Sequence, residues 1–311
     1  MASKRVPHDD NQPVLPHVDL PEASSEESVK FKPLSKPIWT ENKAKLIERY
    51  LYYFVLITRH GTYIDGFAGP QEVDKPEMWA AKLVLENRPA WLRHFYLYDA
   101  DQEKCKMLED LKVKQPSHDS KGRKLSRSID VNCGDSNLLI PALLDRKIIR
   151  SKEATFCLLD QRTFECKWRT VEALAKYKEP GYAKIELFYF MPNAWQDRAL
   201  AALTVNKQDA VDWWGFGDVE MLRKMSQNER RDAMCRRMRK DLGYKNVHPW
   251  PIYEKDKGQG AVMYYMIHAS DHDEAPKLMQ RAYQNALKVK EPLQDLPCLF
   301  PGMYDIDDLD I

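Results

Sequence analysis

The stretch 251–269, PIYEKDKGQGAVMYYMIHA, decides how this chain closes its fold. Residues 251–254 and 261–269 have strand character, and the intervening 255–260 are Lys, Asp, Gly and Gln. Two strands joined so briefly pair antiparallel, because a parallel return needs a crossover of roughly a dozen residues or more. The chain therefore ends its sheet with a hairpin.

Upstream of the hairpin, short apolar runs alternate with helical patterns. Strand-like 62–65 precedes helical 79–86, 94–98 precedes 103–111, 129–133 precedes 137–144, 155–160 precedes 169–178, and the series ends with 184–191. Five strands separated by helices imply a parallel, doubly wound sheet with helices on both faces. Five parallel strands closed by an antiparallel hairpin outline a class I methyltransferase-like (Rossmann-like) α/β domain. A nicotinamide-binding domain would close with another strand–helix–strand unit.

Ahead of the first strand, Thr40 can cap a helix over 41–57, whose Leu46, Ile47, Tyr50, Leu51 and Phe54 share one face. The expected organisation is a disordered leader over 1–30, an N-terminal helical segment over 31–60 and a core over 61–193 and 248–290. A helical insert over 194–247 and an acidic tail over 291–311 complete it.

The 311 residues, 43% hydrophobic and 31% charged, suffice for a sizeable core. The longest apolar runs fall far short of the roughly 18 residues of a membrane span. The leader has no apolar h-region, so the chain is expected to be cytoplasmic, with no membrane partner. Forty-eight basic against 47 acidic side chains leave a net charge of +1, so any nucleic-acid contact must be local. The six cysteines lack any CxxC spacing, which argues against structural zinc, an iron–sulfur cluster and a disulfide framework. Cys133 and Cys157 are expected to be small buried residues in strands.

In an open α/β sheet, ligands sit beyond the carboxyl ends of the strands. The first such turn is Asp65-Gly66-Phe67-Ala68-Gly69-Pro70, where two glycines permit a sharp turn and close backbone approach. The second strand ends in Asp99-Ala100-Asp101; an acid there can receive both hydroxyls of a ribose, while Asp101 has the competing role of capping the next helix. The third ends in Gly134-Asp135-Ser136, where Asp135 can accept an adenine amino group and Ser136 can cap a helix. Together these tips point to an adenosyl ligand, S-adenosyl-L-methionine. GxGxxG and GxxxxGK[ST] are both missing, which disfavours a nicotinamide cofactor and nucleotide hydrolysis. The fourth tip, 160–168, carries Asp160, Gln161, Arg162 and Phe164 as candidates for holding and methylating an acceptor, against an alternative in which Asp160 and Arg162 form a structural ion pair and Phe164 is core.

YIDGFAGP, LYDADQEK, GDSN, ATFCLLDQRTFECKW, KIELFYFMPNAW, the WWG triplet and VMYYMIHASDH, spread over 39–283, closely resemble the three-Cys-motif partner protein family. That resemblance implies an S-adenosylmethionine-dependent methyltransferase-like domain, or an adaptor that transfers no methyl group, accompanying a radical-SAM-like protein with three cysteines. The turn 65–70 is also similar, more distantly, to the DPFAGSG loop of amino-group DNA methyltransferases. Asp160-Gln161-Arg162 takes the place of their DPPY motif, which implies amino-group transfer on nucleic acid with Phe164 or Trp168 stacking on the target. Gln71 stands where a final glycine is common.

Residues 221–242 hold eight Arg and Lys residues with Met at near-helical spacing, suggesting two short helices broken near 227–228. Arg230, Arg231, Arg236 and Arg237, with Trp214, are candidates for nucleic-acid contact; the alternative is a solvated charged face. His268 and His272 flank Asp271, but no third metal ligand is evident, and Asp271 is expected to cap a helix over 273–287.

Overall fold

The computed structural model describes residues 38–119, 121–203 and 207–288. The expected leader, the acidic tail and Cys298 lie outside them. The helix expected over 41–57 is α1 (Ile38–Thr58), which begins earlier, so Thr40 lies buried in its first turn rather than capping it.

Seven strands form one sheet: β1 (Thr62–Asp65), β2 (His94–Asp99), β3 (Ser128–Cys133), β4 (Thr155–Leu159), β5 (Glu186–Pro192), β6 (Asn246–Lys255) and β7 (Gln259–Ser270). Their order is β3-β2-β1-β4-β5-β7-β6, with β1 to β5 parallel and β7 antiparallel to both β5 and β6. The hairpin read from 251–269 is thus present and slots β7 beside β5. This is the mixed α/β, Rossmann-like arrangement of class I methyltransferases. β6 starts at Asn246 and forms the sheet edge, where Pro249 and Pro251 are tolerated because an edge strand leaves alternate N–H groups unpaired.

Side chains alternate across the sheet with period two. Phe156, Leu158, Phe188 and Phe190 face a layer built from α1, α2 (Ala80–Glu86), α3 (Gln102–Val113) and α10 (Ala275–Leu287). Cys157, Leu159, Leu187 and Tyr189 face α4 (Ser136–Asp145) and α5 (Trp168–Lys176). The same face is covered by α6 (Gln196–Ala202), α7 (Lys207–Trp214), α8 (Val219–Lys224) and α9 (Gln227–Lys240). Burying each large apolar side chain contributes about 1.5–3 kcal/mol. Residues 194–247 therefore complete one layer of the core, with Trp213, Trp214, Met234 and Met238 all at 1% exposure or less.

Several helices start at a side-chain cap. Asp101 accepts from Glu103 N and Lys104 N at the head of α3, and Asp135 accepts from Asn137 N at the head of α4. Ser226 and Glu229 form a reciprocal capping box that opens α9. That box places the break in 221–242 at Met225–Ser226 rather than at 227–228.

Two cysteine and capping expectations need correction. Cys133 is exposed on the edge strand β3 and is bonded to Cys105 of α3 as a disulfide, which the absence of a spacing motif had argued against. Asp271 caps no helix; its carboxylate accepts from Lys184 N at 3.2 Å, Lys184 Nζ at 3.1 Å and Lys245 N at 3.1 Å, while α10 starts later, at Ala275. Among the described residues no helix is long and apolar enough to cross a membrane.

Candidate functional site

Parallel pairing brings the carboxyl ends of β1, β2, β3 and β4 to one edge of the sheet, and the first turn is anchored there by backbone and side-chain bonds. Gly66 N donates to Leu158 O at 3.0 Å, Ala68 N to Tyr98 O at 2.7 Å, and the Trp79 indole to Ala68 O at 2.6 Å. Asp65 is buried beneath the turn, accepting from Tyr63 Oη at 2.8 Å and Phe67 N at 3.0 Å. Burial pushes its carboxyl up to about 7, with the charges of Asp160 and Asp99 adding to the rise and the two hydrogen bonds opposing it.

Two carboxylates bracket the turn. Asp99 Oδ2 accepts from Gly69 N at 2.9 Å, and its Oδ1 from Asp101 N at 3.0 Å. A Cβ on residue 69 would lie 2.4 Å from Asp99 Oδ2 and 2.6 Å from Lys104 Cβ, so only glycine fits there. At the other end Asp160 Oδ2 accepts from Gln71 Nε2 at 3.1 Å, and Asp160 Oδ1 takes the ammonium of Lys43 at 2.6 Å. Lys43, from α1, is 1% exposed; its Nζ lies 4.3 Å from the Tyr264 ring centroid and 5.0 Å from that of Phe190. Burial pulls its pKa below the ordinary lysine value, and Asp160 opposes that pull.

Asp65, Asp99 and Asp160 are thus brought together around residues 66–69. Asp135 follows Gly134, whose N–H donates to Asp99 O at 2.9 Å, and stands at the head of α4, where its Oδ1 accepts from both Asn137 N and Asn137 Nδ2 at 2.8 Å. Asn137 in turn ties the fourth tip down, donating to Glu165 O at 2.7 Å and accepting from Lys167 N at 2.8 Å. Gly134 takes φ +149°, a conformation that favours glycine, and Ser136 is buried as the first residue of α4. Asp101, the alternative ribose acid, is engaged as the cap of α3.

The donor set fits an adenosyl ligand in its chemistry. The side chain of Asp99 keeps lone pairs beyond the two backbone N–H groups it accepts, and the glycine beside it allows the backbone to come close. The cavity lined by Thr40, Asp65, Gly69, Gln71, Trp79 and Asp160 has a volume of about 10 Å³. That is room for roughly one water, against the several hundred Å³ of a typical ligand pocket.

Several residues expected to meet an acceptor do structural work instead. Gln161 is fully buried, donating to Phe190 O at 3.1 Å and accepting from Cys166 N at 3.0 Å. Phe164 is core, its ring centroid 5.0 Å from that of Trp213. Trp214 is 1% exposed and Arg230 is at 0%, so neither can stack on a base or reach a phosphate. The Arg230 guanidinium donates to Gln196 Oε1, Leu222 O and Met225 O and pairs with Asp197. Arg231 lies over the Tyr265 ring, and Arg237 sits 3.7 Å from the Trp168 ring centroid and also donates to Trp214 O. Of the named set, Arg162 and Arg236 are exposed. The composition of the arginine run could not reveal this, because the acceptors are mostly main-chain carbonyls supplied by folding.

Lys43 was missed, though its spacing held a signal. It lies three and four residues before Leu46 and Ile47, on the same helical face as the apolar stripe. His268, for which a metal role had been weighed and set aside for want of a third ligand, contacts Glu186 Oε1 at 2.8 Å.

No protein-family model matches the sequence, and no curated protein matches it. Solved structures with similar traces include protein LPL1258 from Legionella pneumophila, at 11% identity over 82% of this chain and 94% of that one, with a TM-score of 0.45. They also include the methyltransferase domain of a bacterial CtHen1-CN, at 12% identity over 74% of this chain and 99% of that one, with a TM-score of 0.40. The small RNA methyltransferase HEN1 matches at 14% identity over 80% of this chain and 27% of its own, with a TM-score of 0.39. At such identities and TM-scores the likeness carries no argument about what this chain acts on.

Proposed function

We propose that this chain is an S-adenosylmethionine-dependent methyltransferase of nucleic acid, with an amino group as acceptor. The observation that supports it is the convergence of Asp65, Asp99 and Asp160 on the 66–69 turn, in a sheet ordered β3-β2-β1-β4-β5-β7-β6. When bound, the donor would supply an electrophilic methyl group, so the chain's task is alignment and exclusion of water.

Asp99 would hold the ribose hydroxyls, Gly66, Phe67, Ala68 and Gly69 the adjoining backbone, and Gly134, Asp135 and Ser136 the adenine side. Asp101 contributes by fixing α3. Arg162, exposed on the fourth tip, is the group suited to an acceptor's phosphate. Asp160 is charge-paired with Lys43, which leaves it poorly suited to serve as a free base.

A second reading is favoured by the burial of Phe164, Trp168 and Trp214, which leaves the fourth tip without an exposed aromatic ring to stack on a base. In it the chain is an adaptor that transfers no methyl group and pairs with a radical-SAM-like three-cysteine protein of the kind the motif resemblance implies, or binds nucleic acid.

Titration calorimetry with S-adenosylmethionine on the native chain and on Asp99→Ala tests the pocket. Binding to the native chain, weakened at least tenfold in the variant, supports a donor site. Tritiated methyl transfer to cellular RNA, DNA and protein then separates the readings. Label in RNA or DNA supports the enzyme; binding without transfer to any acceptor supports the adaptor; no binding overturns the donor site.

A further inference from the structure

The near-neutral charge of the chain conceals a separation of charge along the strand axis. Five connections lead into the parallel strands at their amino ends: 59–61, 87–93, 114–127, 146–154 and 177–185. They carry fourteen Lys and Arg residues against three acids. The connections leaving the carboxyl ends, 66–79, 100–101, 134–135, 160–167 and 193–195, carry three basic residues against seven acids. The turn bracketed by Asp99 and Asp160 thus lies on an acidic edge, and the cations lie on the other.

Parallel pairing sets the five amino-end connections in one row, in the order of the strands β3-β2-β1-β4-β5. Neighbours are joined by Ser128 N donating to Arg93 O at 2.7 Å, Arg93 N to Gly61 O at 2.9 Å and Thr62 N to Ala154 O at 2.9 Å. At the usual strand spacing the row is about 19 Å long. Eleven of its fourteen cations are exposed. Among the described residues, Arg123 and Lys184 alone of the fourteen form ion pairs, with Asp119 and Asp271. Arg127 is half-buried in the row; its Nη2 donates to Leu85 O at 2.9 Å, but Nε and Nη1 meet no acceptor among the described residues. Burial and the like charge of Arg88 pull its pKa down to about 10, so the row lacks negative charge.

We propose that this row is a docking surface for the phosphate backbone of a nucleic acid. It rests on the nucleic-acid partner of the readings above and not on the donor site. A polyanion relieves the mutual repulsion of the row, and release of its counterions favours the contact. Six of the eleven exposed cations are arginines, whose planar fork takes phosphate oxygens in pairs. A single row suits a linear array of charges. Exposed Ile57, Val113 and Ile148 stand at separate points of this edge, unlike the continuous apolar face that a membrane-surface helix buries in lipid. A strand of six residues such as β2 spans about 20 Å, so the backbone is gripped well away from the 66–69 turn. The row positions a long polymer and touches no reacting atom.

Fluorescence anisotropy with labelled single-stranded RNA and duplex DNA of about 20 nucleotides per strand, over roughly 50–200 mM salt, tests this. The edge variant combines Lys121→Gln, Lys124→Gln, Arg150→Gln and Lys152→Gln, all exposed. A control variant, Arg198→Gln, Lys224→Gln, Lys240→Gln and Lys255→Gln, removes as much exposed charge elsewhere. The native chain should bind at least one probe, more weakly as salt rises. The edge variant should bind at least tenfold more weakly, with a slope of log affinity on log salt flatter by about 3, while the control stays within about threefold. Melting temperatures check that both variants fold. Should the edge variant not fold, Lys121→Gln with Lys124→Gln, both on one exposed turn, should give about half that change of slope. Equal losses in edge and control variants, or native affinity in the edge variant, overturn the docking surface and leave the nucleic-acid partner standing. A native chain that binds neither probe overturns both, whether or not it binds phosphatidylserine vesicles, and the calorimetric test of the donor site is unaffected.

Discussion

Replacing Asp65 with asparagine should stabilise the folded protein at pH 8 and leave it nearly unchanged near pH 4. Asp65 is 1% exposed under the first turn, with Asp160 and Asp99 adding negative charge nearby, and its carboxyl is pushed up to about 7 from the ordinary 3.8. Between those values the folded state holds a proton that the unfolded chain has released, so stability falls as pH rises from about 4 to about 7 and is flat above. A carboxyl displaced that far costs up to about 4 kcal/mol once the solution is more alkaline than its folded pKa. Asparagine never ionises, and its side-chain oxygen can still accept from Tyr63 Oη or Phe67 N. Urea unfolding followed by tryptophan fluorescence at pH 4, 5, 6, 7 and 8 measures the effect. Subtracting the native curve from the variant curve cancels the carboxylates not coupled to Asp65, leaving its own titration and its coupling to Asp160 and Asp99. The difference should open between pH 4 and 7 by 2 kcal/mol or more, roughly half that ceiling. Parallel curves across the range would falsify a raised carboxyl at Asp65.

Three further outcomes follow from the packing. Arg230→Met should cost about 3 kcal/mol in chemical denaturation by stranding the buried acceptors of Gln196, Leu222 and Met225, whereas exposed Arg236→Met should stay within about 0.5 kcal/mol; equal losses would contradict the burial difference. Gly69→Ala should cost about 1–3 kcal/mol and lower the melting temperature, because its new Cβ would lie 2.4 Å from Asp99 Oδ2; an unchanged melting temperature counts against the close approach. Reduction of Cys105–Cys133, separated by 28 residues, should lower stability by about 3 kcal/mol, and Cys133→Ser should show no further loss on adding reductant.

The sheet was legible in the chain because its strands alternate apolar runs with helices and its closing turn is too short for a crossover. The convergence of strand tips was legible for Asp65 and Asp99, since parallel pairing puts every carboxyl end on one edge. Lys43 escaped notice because a search for apolar spacing passes over a lysine, even one in phase with Leu46 and Ile47. Phe164 was legible as core only as an alternative, and Trp214 was set among candidate nucleic-acid contacts because 194–247 reads as an appendage, whereas folding lays α6 to α9 directly on the sheet. The Cys105–Cys133 bond left no local trace: α3 runs back beside β2, and the neighbour of β2 on that side is β3, so residues distant in the chain are set side by side.

The two prolines of β6 bear on how copies of this molecule can meet. A sheet grows by strand addition only where its outermost strand offers a regular row of donors, and Pro249 and Pro251 remove two of them within three residues. That flank is in effect sealed against annexation by another chain's extended segment. The opposite flank, β3, has no proline and so keeps, among the described residues, a backbone N–H at every position from Ser128 to Cys133.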